Sequence, residues 1–349
     1  MAVTKSLYGE LNGVKVNSFT IINENGLKAE IIEKGATLEK LFVKDKNGSL
    51  LDVLSGHDTL EGHVERSDYQ GVVVGQYANR IKGGKFSIDG VEYNLTKNDN
   101  GIICLHGGGE YSSAIWSGEA TSDKAVTFTF FSKDGTDGFP GNVDASVTYE
   151  LTDNDELILT YNAVSDKKTV INLTNHAYFN LNGFDSGDIL NHELKINADY
   201  LTPIDETSIP TAMSQAVENT PFDFREFKKI GKEIDNTDCV QIKNGNGYDH
   251  NFIINDFDGT LKTCAIAKGD KSGITMEVKT TLPGVQFYTG NFLDGTVIGK
   301  AQKPLTKRCS FCLETQVFPD SPNHQDWCKC VYDANEEYSS KTVFAFSAK

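Results

Sequence analysis

The chain has 349 residues, 33 of them basic and 49 acidic, for a formal net charge of −16. No lysine or arginine cluster breaks that acidity, so nucleic acid and anionic membrane surfaces are excluded as expected partners. Seven cysteines, an odd number, with no apolar export-type segment in the opening MAVTKSLYGELNG, predict reduced thiols in a soluble cytoplasmic protein.

No apolar run approaches the span of a bilayer, and no Pro/Ser-rich linker or composition break divides the chain, so residues 1–349 read as a single domain. Short β-branched runs at 17–23 and 29–43 open the series of predicted strands. Phe86 to Leu95, FSIDGVEYNL, is a hairpin, because Asp89-Gly90 supplies the two φ > 0 positions of a type I′ turn between alternating runs. Strand 126–131 follows, and 145–151 with 156–164 forms a second hairpin. Further strands are expected at 193–200, 251–255, 262–267, 273–280, 284–289, 308–313 and 342–347. The best helix candidate is 222–234, where Phe224, Phe227, Ile230 and Ile234 recur at near-helical spacing, weakened by Gly231. Many strands and almost no helix predict an all-β fold, a large antiparallel sandwich or barrel.

Ile171 to Leu181, INLTNHAYFNL, reads as a strand that puts Asn172, Thr174, His176, Tyr178 and Asn180 on one side. That side holds uncharged donors and acceptors around one group that titrates near neutrality, which suits a concave, sugar-like site; a hydrogen-bonded structural histidine is the alternative. GQYANRIKGG sets Asn79 and Arg80 at a glycine-flanked turn, in a chain whose other arginines are Arg66, Arg225 and Arg308. CLHGGG puts His106 before three glycines, YDHN sends Asp249 and His250 to opposite faces of a strand, and VQFYTGNF carries Gln286. Glu314, on a predicted strand among apolar residues, is either paired or functional. Cys309 and Cys312, with Cys328 and Cys330 beyond them, come close to a zinc-ligand spacing. The first pair lies on a predicted strand, where an odd separation sends the two to opposite faces, so no metal is expected.

Together these pieces resemble the aldose 1-epimerase (galactose mutarotase) family: GxxANRIxGGxFxxDGxxYxL, LHGG, NxTNHxYFNL, YDHNF, VQFYTGN and CLETQxFPDxxN occur here in the family's order, from about Gly71 to about Asn323. The resemblance implies a large antiparallel β-sandwich of the galactose mutarotase-like type, with an open cleft on one sheet. It implies that α and β anomers of hexoses such as galactose and glucose are interconverted by ring opening and reclosure, with no cofactor. By it, Glu314 is the general base on the anomeric hydroxyl, His176 the general acid toward the ring oxygen and His106 an assistant near that oxygen. Asn79, Arg80, Asp249 and Gln286 hold and orient the sugar. Three departures from the pattern, Gln76 ahead of the ANR run, Gly109-Glu110-Tyr111 after LHGG and Ala177, bear on sugar preference. The expected partner is a small hexose, and the chain is expected to be a monomer or weak homodimer. Three rivals remain: a sugar-binding module, a glycosidase using Asp249 with Glu314, and a phosphosugar epimerase, which would want a more basic pocket.

Overall fold

The computed structural model describes residues 2–65 and 68–349, residue 65 by its backbone alone; Arg66 lies outside the described residues. Three antiparallel sheets organise the chain. Five consecutive strands, Thr4–Leu11, Val14–Ile22, Lys28–Ile32, Thr37–Lys44 and Leu50–Asp52, form an N-terminal meander. A nine-stranded sheet runs in the order Ser117–Ser122, Ala125–Ser132, Val143–Leu151, Glu156–Ser165, Glu337–Ala348, Ile274–Thr280, Lys262–Lys268, Glu193–Ile196 and Lys228–Lys229. Its fifth position is taken by the last strand of the chain, which joins the two halves. The third sheet is Gln215–Ala216, Tyr200–Leu201, Asp249–Ile253, Gly284–Tyr288 and Cys312–Gln316.

One core cluster draws on all three: Phe19, Ile31 and Leu41 from the meander, Phe128, Tyr149, Leu159 and Phe344 from the large sheet, and Phe252, Phe287 and Leu313 from the third. Alternation explains this, since successive side chains of a strand leave opposite faces and only one face can meet the core. The large sheet therefore packs over both smaller ones as an antiparallel β-sandwich.

The expected hairpin at 86–95 forms from Lys85–Ile88 and Val91–Asn94, with Asp89 at φ 51° and Gly90 at φ 81°. Residues 145–151 and 156–164 pair as expected, inside longer strands. Two expectations are corrected. Residues 222–234 are not a helix. They hold only the short strand Lys228–Lys229 and a 3-10 turn at Ile230–Lys232, while Phe222, Phe224, Ile230 and Ile234 are all buried. An irregular segment laid over a sheet edge buries apolar residues at any spacing, so the near-helical period carried no helix. Residues 171–181 are likewise not a regular strand: Thr174–Asn175 pairs with Val73–Val74, and beyond that Asn172 is bridged to Tyr77 and Phe179 between Leu54 and Phe311. With cover on every side, both of its faces are buried and the expected polar face is divided between structure and cleft.

Phe287 faces the core from the strand whose other face carries Gln286 and Tyr288, so Phe287→Ala should cost about 3–5 kcal/mol. A lower urea midpoint with an unchanged slope checks this.

Candidate active site

The third sheet builds the floor of the site by strict alternation. On Gly284–Tyr288, Val285 and Phe287 enter the core, leaving Gln286 and Tyr288 on the opposite face. On Cys312–Gln316, Leu313 enters the core and Thr315 meets Thr342 of the large sheet, which leaves Cys312, Glu314 and Gln316 outward. Register then aligns Asn251, Gln286 and Glu314 in one rung and Asp249, Tyr288 and Cys312 in the next. The expectation for the adjacent pair holds: Asp249 faces the site, and His250 turns under the sheet against Phe222, with its Nε2 at 3.0 Å from Gln241 Oε1.

A second wall comes from two short segments, Arg80–Ile81 and Cys104–Leu105, paired antiparallel. The residues flanking the pair, Asn79 (φ 68°) and His106 (φ 51°), are both left-handed, an uncommon conformation for a side chain with a Cβ. They hold each other. His106 N–H donates to Asn79 O at 3.0 Å, and Asn79 N–H donates to His106 Nδ1 at 3.2 Å. Behind them Gly107 sits at φ 70°, where a Cβ would lie 2.1 Å from the Gly75 carbonyl oxygen, so the closeness of these two backbones requires glycine.

Asn79, Arg80, His106, His176, Asp249 and Glu314 border a single cavity of about 260 Å³, closed by Asp68, Tyr69, Tyr178, Tyr288, Phe292 and two leucines. Gln286 lies beneath it and does not border it. Its amide is part of a chain: Asn79 Nδ2 donates to Gln316 Oε1 (3.5 Å), Gln316 Nε2 to Gln286 Oε1 (3.4 Å), and Gln286 Nε2 to Asp249 Oδ1 (2.7 Å). Arg80 is held by Asp99 (Nε to Oδ2, 3.1 Å) and reaches toward Asp249 (Nη1 to Oδ2, 3.8 Å). The rest of the expected polar face of 171–181 is structural. Asn172 accepts from Val317 N–H, and Asn180 donates to the Gly187 and Cys309 carbonyls. Gln76 also points away from the cavity, donating to Thr169 Oγ1 and Val170 O.

His176 Nε2 lies 3.6 Å from Glu314 Oε1, and its ring is stacked between Tyr178 (4.9 Å) and Tyr69 (5.8 Å). Burial pushes His176 down to about 4, and burial, His176 and Arg80 push His106 well below the usual histidine range. Burial, reinforced by Asp249 and opposed by Arg80, pushes Glu314 well above the usual carboxylate range; its Oε2 has no protein partner among the described residues. These shifts favour neutral imidazoles and a protonated carboxyl.

His106, His176 and Glu314 place potential ligand atoms within 4.8 Å of one another, and no other such trio occurs among the described residues. The trio does not suit a metal. Because His106 Nδ1 accepts a backbone N–H, the proton of the neutral ring is on Nε2, so the nitrogen facing the cavity is a donor without a free lone pair. For the cysteines, the expectation of opposite faces is corrected. The strand begins only at Cys312, and Cys309 joins it in one apolar cluster with Tyr178 and Tyr288, while Cys328 and Cys330 belong to another. A larger hollow of about 1180 Å³ lies along residues 190–233, lined by charges that pair with each other, as Arg225 does with Asp223 and Lys228 with Glu233. It gathers no comparable set of acid and base groups.

Comparison with known proteins agrees with this geometry. The aldose 1-epimerase family model matches residues 17–345. The chain belongs to the aldose 1-epimerase family. It is 42% identical to the galactose mutarotase of Rattus norvegicus, over 99% of each chain, and 36% identical to the aldose 1-epimerase of Escherichia coli K12, over 97% of each. Among solved structures it is similar to the galactose 1-epimerase of Lactobacillus acidophilus, with a TM-score of 0.87 at 27% identity, covering 99% of this chain and 98% of that one. Within this epimerase fold, residue-by-residue reasoning had missed Asp68, Tyr69, Tyr288 and Phe292. Tyr288 was within reach, since it alternates with Phe287 in VQFYTGNF; Asp68 and Tyr69 lie in a segment with no pattern.

A carboxyl held protonated in the folded chain but ionised near pH ~4.3 when unfolded makes the fold lose stability as pH rises above that value, until the folded group itself ionises. Glu314→Gln removes this titration. Its Tm should exceed that of wild type by a few degrees at pH 7, with the gap closing near pH 4, as read by scanning calorimetry at both pH values.

Proposed function

We propose that this cavity interconverts the α and β anomers of galactose and related aldoses by acid–base ring opening, with Glu314 as base and His176 as acid. The observation that carries the reading is the burial of these two groups 3.6 Å apart in a cavity sized for one sugar ring. Mutarotation needs a base at the C1 hydroxyl and an acid at the ring oxygen in the same step. The C1 hydroxyl gives its proton to Glu314, the C1–O5 bond breaks as the C1=O1 bond forms, and O5 takes a proton from His176. Rotation about C1–C2 and the reverse transfers close the ring on its other face.

The proton count supports it. A protonated Glu314 beside a neutral His176 carries the same single proton as an ionised Glu314 beside an imidazolium, so the working state is reached by an internal shift and needs no exchange with solvent. His106, fixed as an Nε2–H donor, serves the ring oxygen as a hydrogen-bond donor and not as a second acid. Arg80 and Asp249, braced by Asp99 and Gln286, present a fork and a carboxylate to sugar hydroxyls, and Asn79 adds an amide. We read the chain as one cytoplasmic domain acting on a free hexose, which suits its seven free cysteines.

Glu314→Gln keeps the shape and deletes the base, so mutarotation of fresh α-galactose should fall by about 10²–10⁴-fold in a polarimeter, with much less effect on sugar affinity. His176→Asn should act similarly. The double variant should lose far less than the product of the two single losses, because both groups serve one proton cycle. Wild-type rate in Glu314→Gln removes the mechanism, and wild-type protein no faster than buffer removes the activity.

A further inference from the structure

If His176 is to receive a proton from Glu314 and pass it to a ring oxygen, Nε2 must be the nitrogen that gains and loses it. The other nitrogen, Nδ1, must then keep its proton throughout, and that proton needs an acceptor. Nδ1 lies 3.5 Å from the sulfur of Cys312, within reach of a hydrogen bond to sulfur. Register explains the contact, because Cys312 shares the outward face of its strand with Glu314, two residues on.

We propose that Cys312 is a positioning residue for the epimerase reaction: its neutral thiol accepts the Nδ1–H of His176, aims Nε2 at Glu314 and the sugar, and by being a weak acceptor keeps the imidazolium a strong acid. This rests on the function proposed above. The thiol remains neutral because burial, Glu314 and Asp249 all push its ionisation well above the usual range, so the sulfur accepts without ever becoming a thiolate. A carboxylate at this position would stabilise the imidazolium and blunt it as an acid, whereas the ring oxygen is a poor base and calls for a strong one. The other groups around the ring do not replace the thiol. The ring's own backbone carbonyl favours the charged form but already accepts from Gly71 N–H at 3.0 Å, Asp68 favours it from a distance, and Arg80 opposes it. His106 meets it edge-on at 5.2 Å, its Nδ1 already engaged by Asn79, and Tyr69, Tyr178 and Tyr288 present ring contacts.

Cys312→Ser and Cys312→Ala separate this role from simple packing. The serine hydroxyl is the better acceptor, so the imidazolium is stabilised and the alkaline limb of the kcat–pH profile should move up by on the order of half a pH unit. Alanine leaves Nδ1–H only the residue's own carbonyl, already bonded to Gly71, so the same limb should move down by a similar amount, with kcat lower by about 10-fold and KM nearly unchanged. Nitrogen-15 NMR of histidine-labelled protein provides a readout independent of turnover: at neutral pH His176 should carry its proton on Nδ1 in wild type and be a tautomer mixture in Cys312→Ala. Limbs that stay in place or move together, or a wild-type spectrum with the proton on Nε2, overturn the assignment. A wild type that does not accelerate mutarotation overturns the activity itself, an outcome distinct from active variants with unshifted limbs.

Discussion

Removing Glu314 from water is the constraint on which the rest of the site depends. Its strand neighbours Leu313 and Thr315 are committed to the core, so the carboxyl must live on the covered outer face, where the cavity is its one neighbour outside the protein. Ionising there costs more than in water, which favours the protonated form. The same burial strips His176 of its tendency to take a proton. Two opposite shifts of one origin favour a pair that holds one proton between them, and that is the proton the proposed mechanism moves.

Arg80 makes this state tolerable. Asp99 engages it from one side and Asp249 faces it from the other, so the cation is fixed where it offsets Asp249 and Glu314 together. Its backbone is fixed as well. Asp320 N–H donates to the Arg80 carbonyl at 2.8 Å, and Asp320 Oδ1 accepts from Lys82 N–H at 2.8 Å. The FPDSPN stretch therefore contributes to the site by clamping the strand that carries Arg80, without bordering the cavity itself. The left-handed turns at Asn79 and His106 belong to the same bracing, since each would relax without the other's backbone bond.

What was legible in the sequence was whatever depends on neighbours along the chain. Asp89-Gly90 dictates its turn locally, and alternation in VQFYTGN and CLETQ assigns faces because one side of each strand is core. The resemblance to the family then gathered His106, His176, Asp249 and Glu314, which no spacing rule could bring together across more than two hundred residues. What failed depended on tertiary cover. The polar residues around His176 alternate as if on an open strand, yet Asn172 and Asn180 face backbone carbonyls and amides supplied by distant segments. Phe222 to Ile234 mimics a helix because the sheet edge beneath it accepts apolar side chains wherever they fall. Tyr69 has no periodic context, and its value lies in ring contacts with His106 and His176 that only the fold creates.

The division of labour in the cavity also bears on how selective it can be. Ring opening touches only the anomeric hydroxyl and the ring oxygen, which every aldopyranose has, so in the proposed roles Glu314 and His176 carry no information about the remaining hydroxyls. Selectivity has to come from the cavity-facing groups outside that pair. Of these, Asn79, Arg80 and Asp249 are polar and held by bonds beneath or beside the cavity, whereas Tyr288 and Phe292 form an apolar flank. A pyranose exposes hydroxyls at its rim and C–H groups on its faces, and a wall of braced polar groups opposite aromatic rings matches both. Gln76, which departs from the family pattern, donates to Thr169 and Val170 and does not touch the cavity, so any effect it has on sugar preference must pass through the position of the neighbouring Asn79 and Arg80.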